Sequence, residues 1–240
     1  MKKRYGILMG LVLASAVFAG TVSDSQEKYV KQYKKQKNPP KPSKQLVNTD
    51  KEPNLKSGLK PIFNGKSLKG WVSQGGHCTF EVEDGAIVGT VVKGSKSTFL
   101  CTKKKYSDFI FTCEMKWIVD GNSGVQFRSR VKGKKVFGPQ FEMEGFKRGR
   151  GWSGGIYGQD CGGWYYPLWL KKHKKARAAL VKDWNRITIY AKGDVVKTWI
   201  NGVPAAHWVS KDFKKGIFGL QVHQGKEGKI LWRNIKIKEL

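Results

Sequence analysis

The sequence is short of carboxylates. Only 18 of its 240 residues are Asp or Glu, against 46 Lys and Arg, for a formal net charge of +28. Arginine is scarce too, with 8 Arg to 38 Lys. Nucleic-acid readers rely on bidentate Arg contacts, whereas Lys attracts polyanions diffusely, so the composition argues against a nucleic-acid partner. It leaves either a plainly solvated surface or affinity for an anionic polysaccharide. The 4 His are scattered, and Cys78, Cys101, Cys113 and Cys161 match no common zinc spacing. Their even number permits two disulfides, or free thiols in a domain large enough to hold without staples. Helical periodicity is scarce; its one instance, "LWLKKHKKARAALV" (168–181), reads as a short surface helix or insertion.

The first residues, "MKKRYGILMGLVLASAVFAG", place a basic start before an apolar run and then small residues, the pattern of a secretory signal peptide. Cleavage is expected after Ala19, an uncleaved anchor being the alternative. Removing residues 1–19 lowers the charge from +28 to +25. No other segment is long and apolar enough to span a bilayer, so the mature chain is expected to be secreted, periplasmic or at the cell surface. Residues 20–57 are rich in Lys, Pro, Ser and Asn with few large apolar groups, and are expected to form a disordered basic linker. Residues 58–240 are enough for one domain with a sizeable core.

That domain alternates with period two. "FIFTCEMKWIV" (109–119) sets Phe109, Phe111, Cys113, Met115 and Trp117 on one face, and "RITIYA", "VVKTWI" and "ILWRNIKIKEL" read likewise. Gly and Asn punctuate the strands, with turns expected at Lys192–Asp194 and Asn201-Gly202. Many short strands with Gly-rich turns predict an all-β sandwich or jelly roll. Trp71, Trp117, Trp199 and Trp232 lie in such strands and are expected in the core.

Eight stretches follow in order: "IFNGKSLKGW", "EVEDGAIVG", "YSDFIFTCEMKW", "NSGVQFRS", "GPQFEMEG", "GGIYG", "DWNRITIYAKGDVVKTWINGVPAAHW" and "GLQVHQGKEGKILWRNIKIKEL". Together they resemble the 3-keto-disaccharide hydrolase domain family, from about Ile62 to Leu240. The resemblance implies a concanavalin A-like fold, two curved antiparallel sheets with a concave ligand face, and an activity on oxidised glycosides. The basic insertion at 171–177 and the long linker are not general features of that family.

In a basic chain, "GPQFEMEG" stands out because it carries two acids. On a strand, Gln140, Glu142 and Glu144 share a face, with Cβ atoms of alternate residues about 7 Å apart, while Phe141 and Met143 face the core. Adjacent carboxylates raise one another's pKa, suiting them to acid and base roles, or they could hold a divalent cation. His223 shares parity with Gln221 in "GLQVHQG", and is a fair base or metal ligand if it lies near Glu142. Asn122, Gln126 and Arg128 in "NSGVQFRSR" suit sugar hydroxyls, Gln126 and Arg128 sharing a face. Trp152, Tyr157 and Trp164, with Tyr165 and Tyr166, stand in a Gly-rich loop and offer flat rings for sugar C–H faces.

Two functional classes remain open. In the first, an exported hydrolase or lyase removes the proton beside the C3 ketone, expels the C1 substituent and adds water. Glu142 or His223 would be the base, Arg128 or a bound cation the enolate stabiliser and Glu144 the acid. In the second, a non-catalytic carbohydrate-binding module uses the same face for an oligo- or polysaccharide.

Overall fold

The computed structural model describes residues 21–240. The signal peptide expected at residues 1–19 lies outside them. Chain order begins with helix α1 (Glu27–Tyr33), followed by β1 (Lys60–Pro61), β2 (Trp71–Gly75), β3 (Thr79–Glu83), β4 (Ala86–Thr90) and β5 (Thr98–Thr102). The long ladders are β6 (Phe109–Val119), β7 (Asn122–Lys132) and β8 (Lys135–Glu144). Next come β9 (Ile156–Gln159), β10 (Gly163–Tyr166) and the four-residue helix α2 (Lys174–Arg177). The chain closes with β11 (Asn185–Lys192), β12 (Val195–Ile200), β13 (Val203–Val209), β14 (Ile217–Val222) and β15 (Lys229–Glu239).

These strands form two antiparallel sheets packed as a jelly-roll sandwich. One is ordered β13-β12-β11-β6-β15-β4-β3, with β1 also on β15; the other is β10-β9-β8-β7-β14-β5-β2. The core lies between them because each central strand alternates. Phe109, Phe111, Cys113 and Met115 of β6 are fully buried and face Val125, Phe127, Phe141, Met143, Phe218 and Leu220 from the second sheet. Phe218 stacks on Phe111 at 4.4 Å between centroids and meets Phe109 edge-on at 4.8 Å. Burying such a ring contributes about 1.5–3 kcal/mol. The four strand tryptophans, Trp71, Trp117, Trp199 and Trp232, are buried, as their alternation predicts. The β12–β13 turn sits at Asn201-Gly202, both with positive φ, as a tight hairpin turn needs.

The structure overturns two sequence expectations and settles one that was left open between alternatives. Residues 21–57 are not a free linker: α1 and the chain after it lie along the domain. Val47 joins the core and Val22, Tyr29, Val30 and Tyr33 pack against it, while Leu46 stays exposed. Amides then take over where apolar surface runs out. Asn48 Nδ2 donates to the Thr198 carbonyl at 3.0 Å, and Gln45 Nε2 to the Pro167 carbonyl at 2.7 Å. Glu52 accepts from Arg186 and from Thr188 Oγ1 at 2.6 Å. Composition underestimates such a segment because side-chain amides can satisfy a docked backbone as well as water does.

Second, all four cysteines are free thiols: Cys78, Cys101 and Cys113 are buried and Cys161 is half-buried. Burial pushes the Cys101 thiol up to about 12, so it stays protonated and inert. Third, a β-bulge after Gln126 in β7 shifts its register to β8 and puts Arg128 at φ 47°. Parity with Gln126 is lost there, and the Arg128 side chain turns away from the polar face.

Candidate active site

The polar face of the second sheet is its outer one. Register aligns Glu142 of β8 with Gly124 of β7 and Gln221 of β14, and Gln140 with Gln126 and with Tyr157 of β9. Gly124 makes the row continuous. A Cβ there would sit 2.6 Å from the Gln140 side chain, so only glycine lets Gln140 lie across β7. Gln140 Nε2 then reaches both Glu142 Oε2 at 2.8 Å and Gln221 Oε1 at 3.1 Å. Its own Oε1 accepts from Gln126 Nε2 at 2.6 Å, and Gln126 Oε1 accepts from Ser129 Oγ at 2.7 Å. Asn122 Nδ2 completes the arrangement by donating to Glu142 Oε1 at 2.6 Å.

Glu142 therefore sits nearly sealed, 4% exposed, on the floor of a cleft of about 310 Å³. Of the residues singled out in the sequence, Asn122, Gln140, Glu142, Tyr157, Trp164, Gln221 and His223 line this cleft. Burial, and then the neighbouring Glu144 charge, push the Glu142 carboxyl up to about 7, against the lowering pull of its two amide donors. The Nδ1 of His223 lies 2.7 Å from the Gln224 carbonyl, which requires the proton on Nδ1 and leaves the Nε2 lone pair. Burial holds this imidazole below its ordinary range, so it is neutral at pH 7.

Four expected residues are elsewhere. Glu144 is 2% exposed and spent on structure: Oε1 accepts from Arg150 Nε at 2.6 Å and forms an ion pair with Arg150 Nη2, while Oε2 accepts from the Trp152 backbone N–H at 3.1 Å. Trp152 is wholly buried, its indole N–H donating to Gln26 Oε1 at 2.7 Å, so no sugar can stack on it. Gln126 lies beneath Gln140. Arg128 is buried at the end of the sandwich, where it donates to the carbonyls of Ser107 (2.6 Å), Gly193 (2.8 Å) and Phe213 (3.3 Å) and pairs with Asp108 (2.7 Å). It ties three loops together and does not approach Glu142's cleft.

The cleft also contains residues that sequence reading passed over: Tyr33, Ser97, Arg148, Arg150, Gln159 and Gln224. Arginine scarcity was the available signal for two of them. Arg148 and Arg150 are two of only 8 Arg and fall between Glu144 and Trp152. The Arg150 guanidinium lies 4.5 Å from the Trp152 ring centroid and 5.0 Å from that of Trp164. A metal would find few ligands. Among the described residues no three His, Cys, Asp or Glu side chains converge, Glu142 being surrounded by amides and Glu144 held by Arg150.

A profile of the 3-keto-alpha-glucoside-1,2-lyase-like domain matches residues 58–238. The chain belongs to that family. Its relation to carbohydrates follows from this membership. Two solved structures of candidate glycosyl hydrolases from Parabacteroides distasonis share the fold, each with a TM-score of 0.56. One is 23% identical and covers 76% of this chain and 94% of its own; the other is 21% identical, covering 77% and 100%. A Bacillus subtilis protein with a galectin-like fold superposes with a TM-score of 0.57 at 12% identity, over 81% of this chain and 98% of its own. No curated protein matches. The family domain begins after α1, so Tyr33 reaches the cleft from outside it. Among the described residues, no helix is long and apolar enough to cross a membrane.

Proposed function

We propose that the protein is an exported enzyme that cleaves 3-keto-glycosides by elimination and hydration, with Glu142 as the base. The observation that carries this reading is a single carboxylate on the floor of a polar cleft, its pKa raised to about 7 and both oxygens aimed by amide donors. A base works best when its pKa lies near the working pH. A ketone at C3 acidifies the C2–H bond. Glu142 takes that proton, the electron pair moves toward the ketone oxygen as an enolate, and its return expels the C1 substituent. The leaving oxygen takes a proton, and water then adds across the enone, so the net change is hydrolysis.

The other roles shift from those expected of Glu144 and Arg128. Arg150, 7% exposed and lining the cleft, supplies positive charge to the developing enolate. The Tyr157 phenol, whose pKa is raised by burial and by the Glu142 charge, stays protonated and can give its proton to the leaving group. Neutral His223, with its Nε2 lone pair, is suited to activating the water. Glu144 acts through Arg150 by fixing its guanidinium. The lysine-rich surface favours an anionic saccharide as the natural ligand.

The test uses deuterium. In D₂O the enzyme should exchange the C2 proton of a 3-keto-disaccharide and release both sugars, while leaving the plain disaccharide intact. Glu142→Gln should do neither. If the wild type binds plain and oxidised sugars equally and exchanges no proton, the second reading, a carbohydrate-binding module, replaces the first. The amide lining of Asn122, Gln140, Gln159 and Gln221 is what favours that alternative, since neutral amides pair well with hydroxyls.

A further inference from the structure

The cleft over Glu142 continues on two sides, and the two sides differ in charge. On one, Asn122, Arg148 and His223 are shared with a cleft of about 320 Å³, where Lys147 and Arg148 are balanced by Asp120 and Glu227. On the other, Ser97, Gln159 and Gln224 are shared with a larger cleft of about 600 Å³. There Lys96, Lys134 and Lys135 stand against Asp160. Asp160 lies 3.7 Å from Lys135, and among the described residues Lys96 and Lys134 have no carboxylate partner. Positive charge is in excess on this side only.

The β7–β8 hairpin builds the larger cleft. The bulge after Gln126, with Arg128 at φ 47°, bends β7. Gly138, at φ 136°, lets β8 follow, since a Cβ there would lie 2.7 Å from Ser129 Oγ. The hairpin leans over the outer face of its sheet, so that β8 touches β2 although β7, β14 and β5 lie between them. Val136 packs with Phe99, Cys101 and Ile217 in an apolar cluster apart from the main core, which holds the hairpin down. Lys134 and Lys135 come from this hairpin and Lys96 from the loop before β5. Register gives the reach. Glu142, Gly124, Gln221 and Phe99 are successive partners across β8, β7, β14 and β5. Three strand spacings put Phe99 about 14 Å from Glu142 along that row, farther than one sugar ring extends.

Resting on the carbohydrate reading above, we infer that the larger cleft is an anion subsite. It takes a sugar unit that neighbours the one over Glu142 and carries a carboxylate or a sulfate ester. A cleft lined by one sign of charge focuses its field on a ligand, and lysine meets either anion as a point charge. Ser97, Gln159 and Gln224 at the junction offer neutral partners to the hydroxyls between the two units. The balanced charges of the smaller cleft make no such selection.

The experiment uses the full chain and disaccharides of one linkage, with a 6-carboxylate or a 6-sulfate on either the reducing or the non-reducing unit. Binding is measured by calorimetry. Positional isomers carry the same charge, so diffuse attraction treats them alike. One isomer should bind about tenfold tighter than the other, equal to ~1.4 kcal/mol, and comparing the carboxylate pair with the sulfate pair shows which anion is held. Lys96→Gln with Lys134→Gln should bring the ratio near one. Lys236→Gln with Lys238→Gln removes the same charge from exposed positions on the opposite sheet and should leave the ratio intact. The inference is overturned by equal binding of the isomers in both pairs, by binding of none, or by a ratio that survives Lys96→Gln with Lys134→Gln. A ratio that falls as far in the Lys236 and Lys238 variant also overturns it. Should the ratio hold while the 3-keto forms show neither turnover nor C2 exchange, the proposed chemistry fails and the subsite stands. Turnover of a neutral 3-keto-disaccharide without the ratio removes the subsite and leaves the chemistry.

Discussion

Glu142 and Glu144 stand two residues apart on one face of β8, yet they occupy different surroundings. Around Glu142 the neighbours are neutral amides and a cleft open to ligand. Around Glu144 they are a guanidinium, a backbone N–H and buried indole rings. Amides aim a carboxylate without neutralising it, so burial raises its pKa and it remains available for proton transfer. An ion pair neutralises the carboxylate and removes it from chemistry. The same residue type therefore divides into a reactive group and a support because different elements cover the two ends of the strand.

The largest expected effect lies on the reactive side. Glu142→Gln keeps shape and hydrogen-bonding capacity, and should lower turnover of a 3-keto-disaccharide by roughly 10²–10⁴-fold, with the far-UV spectrum and melting cooperativity unchanged. A drop of less than threefold would make the two carboxylates equivalent and end the distinction.

On the supporting side, Glu144→Gln should cost stability. It strands the charge of Arg150, which is 7% exposed, and removing one partner of a buried pair typically costs about 3–5 kcal/mol. Urea denaturation measures this, and Glu144→Gln with Arg150→Met should recover part of the loss. An unchanged midpoint for the single variant would show that the pair is not what holds the aromatic loop.

A pH series sharpens the comparison. The folded-state value of Glu142, about 7, lies above its ordinary 4.5, so protonation favours folding: the contribution is full below pH 4.5 and is lost as pH rises through about 7. The gap between Glu142→Gln and the wild type should widen by roughly 3 kcal/mol across that window. Taking the difference is necessary because buried His173 slopes the other way. Burial first, then the Arg177 charge, lower it to about 3 from an ordinary 6.5, so stability falls as pH drops from 6.5 toward 3. Its Nδ1 accepts from the Leu170 N–H at 3.2 Å and its Nε2 faces the Tyr166 hydroxyl at 3.0 Å, a pairing that only the neutral ring can make.

The smallest effect concerns the lysines far from either carboxylate. Retention of the protein on a sulfated resin should weaken steadily with salt, since exposed charges are screened over about 10 Å at 0.1 M. Variants of Glu142 and Glu144 should elute together, within a few per cent of wild type in salt concentration, because each carries only one of many charges. Retention indifferent to salt would refute diffuse attraction.

Legibility followed the range of the interactions. Alternation made β6 readable to the residue, Phe109–Val119, because every second side chain must enter the same core. The same parity put Gln140 and Glu142 on the polar face of β8 and Gln221 on that of β14, and these do meet. Parity failed at Arg128, where one extra residue in the ladder turned the side chain toward loops far away in sequence. It could not separate Glu142 from Glu144 either, since that depends on Arg150 folding back and on the Asn122 amide arriving from β7. The docked segment 21–57 was hidden for a related reason. Its apolar content is low, and its hold comes from amides that find carbonyls more than a hundred residues away. Local sequence determined the strands, the core and which face is polar, through repeating short-range burial. Only the tertiary structure decided which polar groups are covered, paired or left open, because charge and access depend on neighbours brought from distant parts of the chain.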